Sequence, residues 1–279
     1  MQIRRVHAVY FSGTGTTEKT VRRIAAQAAQ QLGAELSAMD FTPPQARQET
    51  LHFAPEELVI FGVPTYAGRV PNVLLPFLKE RVQGVGALAA AVVLFGNRNF
   101  DDSLIELRDI LCADGFAVVG GAAFVGEHSF SRTLGAGRPD AADMAEMDDF
   151  SRALAEKVRT LPAAPAEPVS VRGEEPIRPY YTPRDRAGNH INILKVRPKT
   201  DLTRCTGCGL CAGLCPMGSI DPAHPEEVRG ICIKCCACVK KCPAGAKYFD
   251  DPGYLYHQHE LEEQYARRAQ NEQFIDSAV

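Results

Sequence analysis

Two patterns of apolar residues alternate through the first 160 positions. One consists of short segments that read as strands: Ile3 to Phe11, rich in Val, Ile, Tyr and Phe, Phe116 to Val125, and the nearly continuous apolar runs Glu57 to Gly62 (ELVIFG) and Leu88 to Phe95 (LAAAVVLF). Runs of this length without polar alternation predict strands buried on both faces of a parallel sheet. The other places apolar residues three and four apart. Val21, Ile24, Ala25, Ala28 and Leu32 mark a helix over Thr16 to Leu32, and Leu104, Leu107, Ile110 and Leu111 mark one over Asp102 to Ala113. Asn72 to Val82 reads as a helix with a proline near its start, and Asp140 to Leu161 as a final helix. A weaker strand near Glu35 to Met39 brings the strands to five. Strands alternating with helices predict an α/β fold, a doubly wound parallel sheet with helices on both faces.

The pattern stops at Leu161. Pro162, Pro165, Pro168, Pro176, Pro179 and Pro183 crowd the next stretch, with Ala, Glu and Arg between them. That composition predicts a semi-rigid, extended linker over 161–198. The expected organisation is a first domain over 1–160, this linker, a cysteine-rich domain over 199–250 and a helical tail over 251–279. Glu260 to Phe274 mixes both charge signs at helical spacing. Such a helix has a place on either domain or on another subunit, which leaves a homodimer open.

Eight of the ten cysteines repeat one spacing. Cys205, Cys208, Cys211 and Cys215 read C-x-x-C-x-x-C-x-x-x-C before Pro216, and Cys232, Cys235, Cys238 and Cys242 repeat it before Pro243. Thiolates are soft ligands suited to iron and sulfide, and this run is the one that holds paired [4Fe–4S] clusters. The fourth cysteine of each run is expected on the other cluster. The sets are then Cys205, Cys208, Cys211 with Cys242, and Cys232, Cys235, Cys238 with Cys215. Cys236 falls off the spacing, and Cys112 reads as a buried core thiol. Zinc sites seldom need two such runs, and a disulfide framework does not confine itself to one quarter of a chain.

Charge and hydropathy exclude some functions. The formal net charge of −3 gives no reason to expect nucleic acid as a partner. No apolar stretch reaches the length of a membrane span, and no signal peptide is apparent. Thiol-rich and unanchored, the chain reads as a protein of a reducing cytoplasm.

The first strand runs into Ser12-Gly13-Thr14-Gly15-Thr16-Thr17, with Glu18 opening the helix. Glycines at a helix N-terminus let an anion approach free backbone N–H groups, and the hydroxyls add donors without charge. Plain N-capping would use the same residue types. No Gly-Lys-Ser/Thr follows, and position 18 is not glycine, so neither a Walker loop nor a dinucleotide fingerprint fits. A phosphate monoester does. In a five-stranded doubly wound fold it belongs to FMN, at the carboxyl ends of the strands.

Ser12-x-Thr14-Gly15-x-Thr17 resembles the phosphate loop of flavodoxins. The resemblance implies that Pro64, Thr65, Tyr66, Ala67, Gly68 and Arg69 flank one side of the isoalloxazine ring, and Gly96, Asn97, Arg98, Asn99 and Phe100 the other. Tyr66 and Phe100 are candidates to stack on it. His128 and Ser129 follow the fifth strand at the same sheet edge. Taken whole, residues 1–160 and 199–250 resemble flavodoxin–ferredoxin fusion proteins of anaerobic prokaryotes, pairing a flavodoxin-like sheet with a small α+β bacterial ferredoxin domain. Flavodoxin loops are typically acidic around the ring, whereas these carry Arg69 and Arg98. Either arginine would stabilise the anionic reduced flavin if it lay beside the ring. Lys234, Lys240, Lys241 and Lys247 crowd the second cysteine run and could steer an acidic redox protein.

The expected function is electron transfer, relaying electrons between FMN and two [4Fe–4S] clusters and onward to redox protein partners. It fits an electron carrier better than an enzyme turning over a substrate. The alternatives are a flavin-dependent reductase of a small substrate fed by the clusters, and a cluster protein whose flavodoxin-like domain only docks a partner.

Overall fold

The computed structural model describes residues 1–275. Its main sheet contains five parallel strands: β1 (Arg5–Tyr10), β2 (Glu35–Asp40), β3 (Glu57–Pro64), β4 (Leu88–Phe95) and β5 (Ala117–Val125). They lie in the order β2-β1-β3-β4-β5, with parallel pairing throughout. This is the flavodoxin-like order, with its switch point between β1 and β3. Every residue of β4 is buried, as its apolar run requires.

Side chains alternate across the sheet and build two cores. Val6, Ala8 and Tyr10 of β1 join α1 (Thr16–Leu32) and α4 (Ala141–Thr160) through Val21, Ile24, Met147, Phe150 and Leu154. Val9 and Phe11 face α2 (Leu75–Arg81) and α3 (Ser103–Ala113), through Phe77, Leu78, Leu104 and Leu107. Helix α4 starts where its side chains satisfy its free N–H groups. Asp140 accepts from the backbone of Ala142 and Asp143, and Asp143 accepts in return from Asp140 N. Gly62 lets α1 sit tightly on β3, since a Cβ there would come 2.2 Å from Val21.

The proline-rich segment is not a tether. It has no regular element as far as Val196, but it is docked along the first domain. Val169 and Val171 enter the α2–α3 core, and Val169 N donates to Val118 O at 2.9 Å. The Arg178 guanidinium grips the Asp102 carboxylate, whose side chain is fully buried. This bond holds the carboxyl down at about 2. Tyr180 donates to Val70 O at 2.7 Å, and Tyr181 N to Ala67 O at 2.8 Å. Two valines and an arginine are enough to dock an extended chain, and they leave no periodic trace.

The cysteine-rich region is small. It contains β6 (Lys199–Thr200) paired antiparallel with β7 (Lys247–Tyr248), and two single-turn helices, α5 (Leu210–Gly213) and α6 (Ala237–Lys240). Helix α7 (Pro252–Gln264) follows, capped by Asp251. The tail then departs from the expected helix. Glu272–Phe274 forms a strand, β8, which pairs antiparallel with β5 and becomes a sixth strand at the sheet edge. Residues 276–279 of the expected tail lie outside the described residues. Asn271 accepts from Val125 N and donates to Asp143 and Glu146, which directs the chain onto that edge. Among the described residues no helix is long and apolar enough to cross a membrane.

Candidate functional site

The two cysteine runs are copies in backbone as well as spacing. Gly207 and Gly209 in the first run have φ of 67° and 71°, and Lys234 and Cys236 at the same places in the second have 55° and 59°. Gly218 and Gly245 match at 58°. In both copies the fourth cysteine accepts an N–H from the residue four positions on: Ser219 N to Cys215 Sγ at 3.4 Å, Ala246 N to Cys242 Sγ at 3.3 Å. Cys236 thus fills a left-handed position that glycine fills in the first copy. Its Sγ contacts the Tyr254 hydroxyl at 3.4 Å. Cys112 is half-buried against the α2–α3 core.

Each run contributes its fourth cysteine to the other's cavity. One cavity is lined by Cys205, Cys208, Cys211 and Cys242. The other is lined by Cys232, Cys235, Cys238 and Cys215, with Cys236 also at its wall. Burial pushes Cys235 and Cys238 up to about 12 and raises Cys232 and Cys211. Burial also opposes ionisation of Cys242, but backbone N–H groups led by that of Ala246 bring it below its ordinary value. Thiolates in such apolar surroundings need a compensating cation, and four of them around one cavity suit an iron–sulfur cluster.

A third cavity opens at the carboxyl ends of β1, β3, β4 and β5. Gly13, Thr14, Thr16 and Thr17 line it from the first loop, and Pro64, Thr65 and Tyr66 from the third strand's end. Leu94, Phe95 and Gly96 supply the floor, and Gly126, Glu127, His128 and Ser129 the far wall. Ser12 organises the loop from behind. Its hydroxyl accepts from Gly15 N at 3.2 Å and Glu18 N at 3.1 Å, and its own N–H donates to Thr42 Oγ1 at 2.7 Å. Gly15, at φ 102°, turns the chain into α1. The hydroxyls and helix N-terminus of the first loop, with the Tyr66 phenol beside Gly13, fit a phosphorylated aromatic cofactor such as FMN.

His128 is fixed as one tautomer. Its Nδ1 accepts from Phe130 N at 3.1 Å, so a neutral ring carries its proton on Nε2. Burial, helped by the charges of Lys240, His257 and Arg98, lowers its pKa to about 3. Gly96 must be glycine to admit this ring, because a Cβ there would lie 2.4 Å from His128 Cδ2.

Several residues expected around the flavin ring are engaged elsewhere. Phe100 is fully buried, packed on Phe95 under the Arg172 guanidinium, and cannot stack on a ligand in the cleft. Arg69 pairs with Glu106 and stacks over Tyr180. Arg98 pairs with Asp101 and stacks over Tyr181. Ala67 and Gly68 form the tight turn between Tyr66 and Arg69, with Gly68 against Asp101. Asn97 turns towards the C-terminal segment, donating to Tyr265 O at 2.7 Å and Arg267 O at 2.6 Å. Asn99 accepts from Asp101 N and Arg172. The docked linker and the returning tail claim these side chains, so the loop after β4 offers the cleft only Gly96.

One wall was not foreseeable from sequence. Cys235 lines both its own cavity and the cleft. Its Cβ lies 3.0 Å from where a Cβ on Gly13 would stand, and its Sγ 3.5 Å. The Tyr66 hydroxyl meets the same spot at 3.7 Å. Leu94, Phe95, Gly126 and Glu127 also carried no distinguishing signal; they read as strand ends.

A family model described as a 4Fe-4S binding domain matches residues 198–221, the segment that carries the first cysteine run. A search of curated proteins found no match. Among solved structures, the chain is similar to a flavodoxin from the domain Archaea, with 16% identity over 56% of this chain and 99% of that one, at a TM-score of 0.41. Flavodoxin 2 from Bacillus cereus is 19% identical over 55% of this chain and 99% of that one, at 0.38. Rubredoxin oxygen:oxidoreductase from Desulfovibrio gigas is 18% identical over 57% of this chain and 37% of that one, at 0.40.

Proposed function

We propose that this chain is an electron carrier that relays electrons between FMN in the strand-end cleft and two [4Fe–4S] clusters, and onward to redox protein partners. The observation that carries this reading is the double position of Cys235, in the wall of one cysteine cavity and in the wall of the cleft. The clusters exchange single electrons and the flavin one or two, which lets such a chain connect one-electron and two-electron partners.

The residues divide the work by position. Thr14, Thr16 and Thr17 bind the phosphate, and Ser12 and Gly15 hold their loop in shape. Tyr66 bears on the ring. His128 keeps a neutral ring with its Nε2 proton at the cleft wall. The cavity of Cys215, Cys232, Cys235 and Cys238 stands next to the flavin. The cavity of Cys205, Cys208, Cys211 and Cys242 is the outer one, with Cys208 exposed, and faces the partner protein. Electrons therefore pass in the order outer cluster, inner cluster, flavin, or the reverse.

Anaerobic redox titration of the purified protein, with visible and EPR detection and FMN quantified, tests this. The expected result is about eight iron and eight labile sulfide per chain with one bound FMN. A single cluster, or no flavin band after desalting, would overturn it.

A further inference from the structure

The four lysines around the second cysteine run are not equivalent. Lys234 donates to the carbonyls of Leu194 at 3.2 Å and Cys232 at 3.1 Å. Lys240 pairs with Glu127 and donates to His128 O at 2.7 Å, fastening the cysteine region to the cleft wall. Lys247 donates to Pro225 O. The ammonium of Lys241 alone of the four has no hydrogen-bond or ion-pair partner among the described residues.

Its backbone is fixed, and its side chain is exposed. The Lys241 backbone N–H donates to Ala237 O at 3.0 Å and closes α6, the short helix that also carries Cys238. From there the ammonium reaches the loop of the first domain: a Cβ added to Gly15 would lie 3.8 Å from Lys241 Nζ. That loop has no cation of its own between Ser12 and Thr17. The nearest ones are occupied, Lys19 by Pro139 O and Arg22 by Glu18 and Tyr10. Two of the local N–H groups, those of Gly15 and Glu18, are already spent on Ser12 Oγ. A phosphate monoester carries about −1.5 to −2 charge at neutral pH. The helix N-terminus alone offsets roughly +0.5 of it.

We infer that Lys241 completes the phosphate site, pairing its ammonium with the phosphate of FMN across the boundary between the two regions. The inference rests on the FMN reading of the cleft. It makes the flavin site composite: the flavodoxin-like sheet supplies hydroxyls and a helix end, and the cysteine region supplies the positive charge. Lys241 is then a specificity residue that selects the phosphorylated flavin.

The test titrates FMN and riboflavin, separately, into flavin-stripped, cluster-loaded protein under anaerobic conditions, following flavin fluorescence. Wild type, Lys241→Gln and Lys241→Arg are compared, with iron and sulfide measured in each. A charge-assisted bond of this kind corresponds to roughly a tenfold change in affinity. The FMN dissociation constant of Lys241→Gln is expected to rise by about that factor at low salt. Riboflavin binding should not change, and Lys241→Arg should stay near wild type. The gap should narrow as salt screens the exposed pair. An unchanged FMN constant in Lys241→Gln, or an equal loss for both ligands, overturns the inference while leaving the FMN reading intact. Equal wild-type affinity for FMN and riboflavin overturns the FMN reading itself.

Discussion

The two cysteine cavities share a spacing, a backbone and an N–H···S bond, yet they live in different surroundings. The outer one includes the exposed Cys208, with Cys211 raised by burial and Cys242 held below its ordinary value by backbone N–H groups. The inner one has Cys235 at 8% exposure, with the thiols of Cys235, Cys236 and Cys238 pushed up to about 12 by burial. It is also shared with the cleft. A duplicated motif therefore does not give duplicated chemistry. What distinguishes the copies is the protein packed around them, which adjusts solvent access and local charge.

The comparison can be broken most directly by removing one ligand from each side. Cys208→Ser should cost the outer cluster, lowering iron from about eight to about four per chain while FMN stays bound and reducible. Cys235→Ser should cost the inner cluster and also loosen FMN, because that residue is wall to both sites. Equal flavin behaviour in the two variants would show that the cavities are interchangeable. Chelation gives a second measure. Iron should leave the outer cavity severalfold faster than the inner one when wild-type protein is challenged with a ferrous chelator under argon, followed by EPR. Simultaneous loss would contradict the burial difference.

Acid sharpens the inner side further. His128 is lowered to about 3 and His257 to about 4, both first by burial. In the unfolded chain such groups titrate near 6.5. Between about pH 6.5 and those folded values, the unfolded state takes up protons that the folded state refuses. Stability should therefore be level above pH 7 and decline as pH falls from about 6.5. His128→Asn should flatten part of that decline, read as the melting temperature against pH; an identical acid limb would remove His128 from the account. The smallest effect concerns Cys236. Cys236→Gly copies Gly209 of the outer run, relieving a left-handed residue at φ 59° while losing the Tyr254 contact. The terms are each about 1 kcal/mol and opposite, so both clusters should survive with little change in stability. Loss of iron would make Cys236 a ligand.

Much of this architecture was legible in the sequence. Runs such as ELVIFG and LAAAVVLF read as buried parallel strands, and the fourth cysteine of each run, expected on the other cluster, lines the other run's cavity. The phosphate-loop residues Thr14, Thr16 and Thr17 reach the cleft as a strand–turn–helix requires. What could not be read depends on partners far along the chain. Arg69, Arg98 and Phe100 sit in a loop position that suits a flavin ring. Their directions are set by Tyr180, Tyr181 and Arg172 of the linker, and prolines made that linker look detached. Strand β8 is three residues of mixed polarity, too short for any period to show. The contact of Cys235 with Gly13 is purely tertiary. Cys236 was closer to reach: laid over the first run, it falls on Gly209.

Strand β8 also sets a timetable. Residues 121–123 pair with residues 272–274, which are synthesised some ~150 positions later. At cellular translation speeds that separation is on the order of 10 s. Throughout it the outer edge of β5 is an unpaired strand on the nascent chain, and such edges invite pairing with other chains. The whole cysteine region is made inside this interval. A message truncated before position 272 would consequently release a protein with all of its thiols and an open sheet, and aggregation rather than weakened electron transfer would be its first defect.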